Sequence, residues 1–143
     1  MFRSFALPFL LLTGAFLAGS VHAADDAVLE GIQEYMEFTS YGDGAMNVEQ
    51  FLNGGLENFH IIDARNADRY AAGHIDGAVN IEWRQILAHR DEIPTDRAIV
   101  LYCDTGLLSA KAQFALRIAG FDKAKVLQGG YPAWVVENET MPK

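Results

Sequence analysis

Cys103 is the only cysteine of the chain. It directly follows the apolar run Ala98-Ile99-Val100-Leu101-Tyr102 and opens the segment Cys103-Asp104-Thr105-Gly106-Leu107-Leu108-Ser109, after which a helical pattern begins. A strand that ends in a cysteine and turns at once into a helix aims the sulfur at clustered backbone N–H groups and at the positive end of the helix dipole. Both favour a thiolate. Across proteins at large a lone cysteine is more often a small buried hydrophobe. Its place here, between a strand and a Gly-containing turn, points to a nucleophile instead.

The elements that must position this sulfur alternate. Phe59-His60-Ile61-Ile62-Asp63 reads as a buried strand, Asn66 to Ala72 as a short helix closed by Gly73, and Ala78 to Ile81 as a second strand. Trp83 to His89 reads as helical, and a turn at Pro94-Thr95-Asp96 leads into the strand that ends at Tyr102. Ser109 to Ala119 predicts a helix ended by Gly120, Lys125-Val126-Leu127 a last strand, and Pro132 to Asn138 a terminal helix. Upstream, Val28 to Phe38 carries apolar residues at helical spacing. Ser40 to Gly44 reads as a linker, and Asn47 caps a short helix, Val48 to Leu52, that Gly54-Gly55 ends. Such alternation predicts an α/β fold, a central parallel sheet covered by helices on both faces. Ligands of such sheets bind at the carboxyl ends of strands, where Cys103 lies.

The first residues read as an export signal. Arg3 supplies the positive start, Phe5 to Ala18 the apolar stretch, and Val21-His22-Ala23 the small-residue cleavage site. The expected organisation is a signal peptide over 1–23, an N-terminal helix and linker over 24–46, and the α/β domain over 47–143. The expected location is periplasmic or secreted. Removing 23 of the 143 residues leaves 120, enough for one domain with a single core. Loss of Arg3 takes the net charge from −8 to −9. That surface argues against nucleic acid, and against anionic membrane after signal cleavage. One cysteine excludes an internal disulfide and a typical zinc site, and His60 and His89 have no partners at metal-ligand spacing. No metal and no cofactor is expected.

Ile61-Ile62-Asp63-Ala64-Arg65, then Tyr70-Ala71-Ala72-Gly73-His74-Ile75-Asp76-Gly77-Ala78-Val79-Asn80-Ile81, then the Cys103 loop, then Leu127-Gln128-Gly129-Gly130 with Trp134 resemble the successive signatures of a rhodanese-like domain. The resemblance runs from about Val48 to Trp134. It implies the rhodanese α/β fold and a cysteine that carries a sulfane sulfur as a persulfide. Behind an export signal, such a domain resembles the periplasmic thiosulfate sulfurtransferases. On that reading Cys103 is the catalytic nucleophile, and the loop Asp104, Thr105, Gly106, Leu107, Leu108 and Ser109 stabilises substrate and persulfide, with Asp63 and Arg65 in support. The partners are small sulfur compounds or a protein thiol or persulfide, and the chain is a monomer or weak homo-oligomer. The physical chemistry is consistent: loop amides cradle a charged sulfur, Gly106 accepts positive φ, and the Thr105 and Ser109 hydroxyls can donate.

The loop departs from the family's usual Cys-x-x-Gly-x-Arg-Ser. Leu108 stands at the arginine position, and Asp104 adds a negative charge beside the sulfur. Loss of a charged hydrogen bond, roughly 1.5–3 kcal/mol, weakens the handling of dianionic thiosulfate on the order of 10- to 100-fold. Leu107 and Leu108 offer an apolar lip to a hydrophobic persulfide donor or a partner protein. Arg65, Arg84 and Lys111 are the cations that would restore positive charge if the fold brings one close. A phosphatase of the Cys-x5-Arg type is disfavoured because Ser109 stands at its arginine position. Asp63 and Arg65 read as an ion pair that fixes loops, His74 as bonded to backbone, and Gly129-Gly130 as a tight turn.

Overall fold

Runs of β-branched and aliphatic residues buried on both sides build the centre of the molecule. The computed structural model describes residues 20–140. The expected leader 1–23, except for its last few residues, and residues 141–143 lie outside that range. The strands are β1 (Ala45–Met46), β2 (Phe59–Asp63), β3 (Val79–Asn80), β4 (Ala98–Tyr102) and β5 (Ala124–Leu127). They form one five-stranded sheet in the order β1-β5-β4-β2-β3, and every pairing is parallel.

Side chains alternate across this sheet and feed two cores. Ile61, Val100 and Tyr102 point to a face covered by α2 (Val48–Asn53) and α5 (Gly130–Thr140), through Val48, Phe51 and Trp134. Ile62, Ile99 and Leu101 point to the other, covered by α4 (Leu107–Ile118) through Ala112 and Leu116 and by Ile86 and Ile93. Val100 and Leu101 are fully buried, and each such side chain stabilises the fold by roughly 1.5–3 kcal/mol. Burial on both faces is why β4 reads as an unbroken apolar run.

Register fixes the sheet edge that matters for function. Asp63 lies beside Tyr102 on one side and Asn80 on the other, so β2, β3 and β4 end in one row, with Cys103 immediately beyond it. Between β2 and β3 runs α3 (Ala67–Ala72), capped by the Asn66 side chain accepting from the Arg69 amide. Asn47 likewise caps α2 in a reciprocal arrangement with Gln50.

Several elements differ from the sequence-based expectation. Residues 45–46, expected in the linker, form the edge strand β1, held by the Val126 amide on the Gly44 carbonyl and the Gln128 amide on the Met46 carbonyl. A two-residue strand is too short to show a period. The helix expected at Trp83 to His89 is instead a 3₁₀ turn, Trp83–Gln85, followed by irregular turns and a second 3₁₀ turn, Arg90–Glu92. The Trp83 amide is tied to the Ala64 carbonyl, and the following amides bond mainly three residues back, so Ile86 and Ile93 reach the core without a continuous helix. The N-terminal helix, α1, runs over Ser20–Phe38 rather than from Val28. It packs on α4 through Tyr35, edge-on to Phe114 at 5.2 Å, while Val28, Met36 and Phe38 of its expected apolar face remain exposed. Helix α4 starts at Leu107, two residues before the expected Ser109, because Gly106 takes a left-handed conformation (φ 95°) and its carbonyl accepts from the Ala110 amide.

Candidate active site

The early start of α4 decides the chemistry of the loop. Leu107, Leu108 and Ser109 occupy the first helical turn, where amides have no partner within the helix. The Leu108 and Ser109 amides face the sulfur of Cys103, a residue only 1% exposed. The Gly106 amide donates to Sγ at 3.2 Å and the Ser109 hydroxyl at 3.6 Å. Burial by itself pushes the Cys103 thiol up. Hydrogen bonding from the Ser109 amide and hydroxyl and from the Thr105 and Leu108 amides outweighs it, leaving the thiol below its ordinary pKa. The Ser109 hydroxyl also lies 3.0 Å from the Gly106 carbonyl. Its single proton serves one acceptor at a time, and a charged sulfur is the stronger.

Thr105 contributes its hydroxyl as well as its amide. Its hydroxyl accepts from the Leu107 amide at 3.4 Å, which braces the loop, and makes no hydrogen bond to the sulfur. Leu107 is 72% exposed and Leu108 is partly buried, so an apolar side chain does flank the loop.

Behind the loop, Asp63 and Arg65 form a buried two-point ion pair, with Nε 2.9 Å from Oδ1 and Nη2 2.5 Å from Oδ2. Arg65 also donates to the Gly73 carbonyl at 2.7 Å and stacks over Tyr131 at 4.4 Å. The hydrogen bond to Asp63 holds the guanidinium even more firmly protonated than usual, against the opposing effect of burial. Asn80 donates to the Asp63 and Arg65 carbonyls, so β3 is locked to the same cluster. The Tyr102 hydroxyl accepts from the Ile75 amide at 3.0 Å. Burial pushes the Tyr102 phenol up, the Ile75 amide opposes this, and the nearby Asp63 reinforces it. His74 Nδ1 lies 2.9 Å from the Tyr70 carbonyl.

Of the cations considered from sequence, Arg65 reaches the loop, with Nη1 3.6 Å from Asp104 Oδ1. Arg84 instead pairs with Glu82, and Lys111 sits over the Trp83 ring at 5.1 Å. The cation that sequence reasoning missed is Arg69, whose Nη1 lies 3.2 Å from Asp104 Oδ1. Its element was legible: Asn66 caps α3, which places Arg69 at the third position of that helix, and the packed structure brings it to Asp104. Beside Asp104 a groove of about 570 Å³ is lined by Arg65, Arg69, Ala72, Tyr131 and Pro132, among others.

A parallel α/β sheet that ends in a low-pKa cysteine inside a ring of amides defines a class of thiolate-loop domains. The chain belongs to the rhodanese-like domain family, whose pattern matches residues 44–137. It is 34% identical over 86 residues to the uncharacterized protein YqhL of Bacillus subtilis, a match covering 60% of this chain and 68% of that protein. It is 33% identical over 78 residues to the thiosulfate sulfurtransferase GlpE of Shewanella oneidensis, covering 54% of this chain and 77% of that protein. In fold it is similar to a rhodanese-related protein of Thermoplasma volcanium, with a TM-score of 0.60 at 20% identity over 68% of this chain and 94% of that one.

Proposed function

We propose that this protein is a sulfurtransferase in which Cys103 carries the sulfur as a persulfide. The observation that supports it most directly is the Cys103 sulfur receiving the Gly106 amide and the Ser109 hydroxyl at the head of α4. Relatedness to a protein named as a thiosulfate sulfurtransferase agrees with this reading. The Cys103 thiolate attacks the sulfane sulfur of thiosulfate or of another persulfide donor. A bond forms between Sγ and that sulfur as the donor's S–S bond breaks, and the leaving group, sulfite for thiosulfate, departs with the electron pair. The amides that held the thiolate then face the persulfide until a thiophilic acceptor removes its outer sulfur and restores the thiolate. The protein is exported, works in the periplasm or outside the cell, and exchanges sulfur with small compounds or a protein thiol as a monomer or weak homo-oligomer.

Purified protein incubated with thiosulfate and cyanide should form thiocyanate, and Cys103→Ser should not. Equal production by the two would sink the assignment of Cys103. Export is checked by N-terminal sequencing of the protein recovered from the periplasm, which should begin at Ala24.

A second reading, a sulfur-relay or binding module with little thiosulfate turnover, is favoured by Leu108 at the place of the loop cation and by the exposed Leu107. Intact-mass measurement separates the two. Uptake of one sulfur atom from a persulfide donor without thiosulfate turnover identifies a relay, and uptake from no donor leaves only a binding role.

A further inference from the structure

Asp104 is the residue next to the nucleophile, and its carboxylate faces two guanidinium groups, Arg65 at 3.6 Å and Arg69 at 3.2 Å. Arg65 is already committed to Asp63, the Gly73 carbonyl and the Tyr131 ring. Arg69 is 62% exposed, and Asp104 is the acidic group it meets. With Cys103 as thiolate, the carboxylates of Asp63, Asp104 and the groove-lining Asp68 and the sulfur stand against the guanidiniums of Arg65 and Arg69, a net charge of −2 around the loop and its groove. A dianion approaching this cluster meets a like charge, and the place before the guanidiniums that its oxygens would take is filled by the protein's own carboxylate. The adjoining groove has the roughly 300–1,000 Å³ size of a small-molecule site, and Ala72, Tyr131 and Pro132 give it apolar walls.

We propose that Asp104 is a specificity-determining residue: as an internal counter-ion to Arg65 and Arg69, it selects against dianionic sulfur donors such as thiosulfate and in favour of small organic persulfides. This rests on the reading of Cys103 as sulfur carrier. The Cys103 thiolate attacks the outer sulfur of R–S–SH, and the Sγ–S bond forms as the R–S–S bond breaks. The electron pair leaves with the thiolate R–S⁻, and the proton stays on the transferred sulfur, so charge and atoms balance. The carbon portion R lies along the apolar wall of the groove.

The test compares wild type, Asp104→Asn and Asp104→Asn/Arg69→Gln with two donors, thiosulfate and 2-hydroxyethyl persulfide, reading kcat/KM for sulfur loading of Cys103 by intact mass. Asp104→Asn keeps the side-chain shape and should raise the thiosulfate-to-persulfide ratio at least about tenfold, and adding Arg69→Gln should take most of that gain away. Sulfate titrated into Cys103→Ser, followed by amide shifts of the loop, should bind at least about fivefold more tightly once Asp104→Asn is added. An unchanged or lowered ratio, or unchanged sulfate affinity, overturns the role of Asp104 while leaving the sulfurtransferase reading in place. Failure of wild type to load sulfur from either donor overturns the donor assignment together with that reading.

Discussion

The Tyr131 amide donates to the Cys103 carbonyl at 2.8 Å, so the start of α5 is fastened to the residue that carries the sulfur. The contact explains Gly130, the residue just before Tyr131. Gly130 has φ 63°, and a Cβ there would overlap the Cys103 carbonyl and crowd the Asp104 backbone. Gly130→Ala should therefore destabilise the protein by roughly 2 kcal/mol or more and displace the loop. Urea unfolding and the rate of Cys103 alkylation check both consequences. A variant with wild-type values of each would show that the turn has room to move.

Ser109→Ala removes the hydroxyl from the sulfur but keeps the Ser109-position amide. The Cys103 pKa should rise, because one of the donors that stabilises the thiolate is gone. A thiol with a higher pKa is less ionised but more nucleophilic, so alkylation at neutral pH should slow by less than the thiolate fraction falls. Thiolate absorbance against pH measures the shift, and an unmoved curve would assign the hydroxyl to the Gly106 carbonyl alone.

The lowered Cys103 pKa also makes stability depend on pH. An unfolded cysteine holds its proton up to about pH 8.5, while the folded chain releases it earlier, so folding releases a proton within that window. The contribution is fully present above the unfolded value and is lost as pH falls through the folded one. The stability of wild type relative to Cys103→Ser, measured by urea unfolding under reducing conditions, should therefore rise with pH up to the unfolded cysteine's value of about 8.5 and then level. A difference independent of pH would contradict the ring of amides as the cause of the shift.

Asp63→Asn takes from the buried Arg65 its buried two-point charge partner and leaves it only Asp104, at 3.6 Å. Breaking such a pair costs about 3–5 kcal/mol. Because Arg65 also holds Gly73 and stacks on Tyr131, the loss should reach both the groove and α5. The unfolding midpoint in urea should fall steeply. Replacing both members by apolar residues should recover part of the loss, whereas equal cost in single and double variants would mean that the charges are uncoupled.

The sequence by itself determined the parallel α/β architecture, because strand and helix patterns alternate along it and β4, buried on both faces, reads as an unbroken apolar run. It also determined the place of Cys103, since a strand ending in cysteine before a glycine turn leaves the sulfur at the carboxyl edge of the sheet. The Asp63–Arg65 pair was legible too, two residues apart at that same edge. Tertiary structure alone decided the rest. The exact first residue of α4 depends on Gly106 adopting positive φ, which frees the amides that lower the Cys103 pKa. The Trp83 segment gave up its helical pattern to a backbone bond with Ala64 in the loop after β2. Above all, Arg69 and Asp104 are 35 residues apart in the chain and meet only because α3 and the Cys103 loop sit over the same edge of the sheet. Local periodicity reports which face a residue occupies within its own element, whereas the charge that a substrate meets is the sum over groups that only the packed sheet brings together.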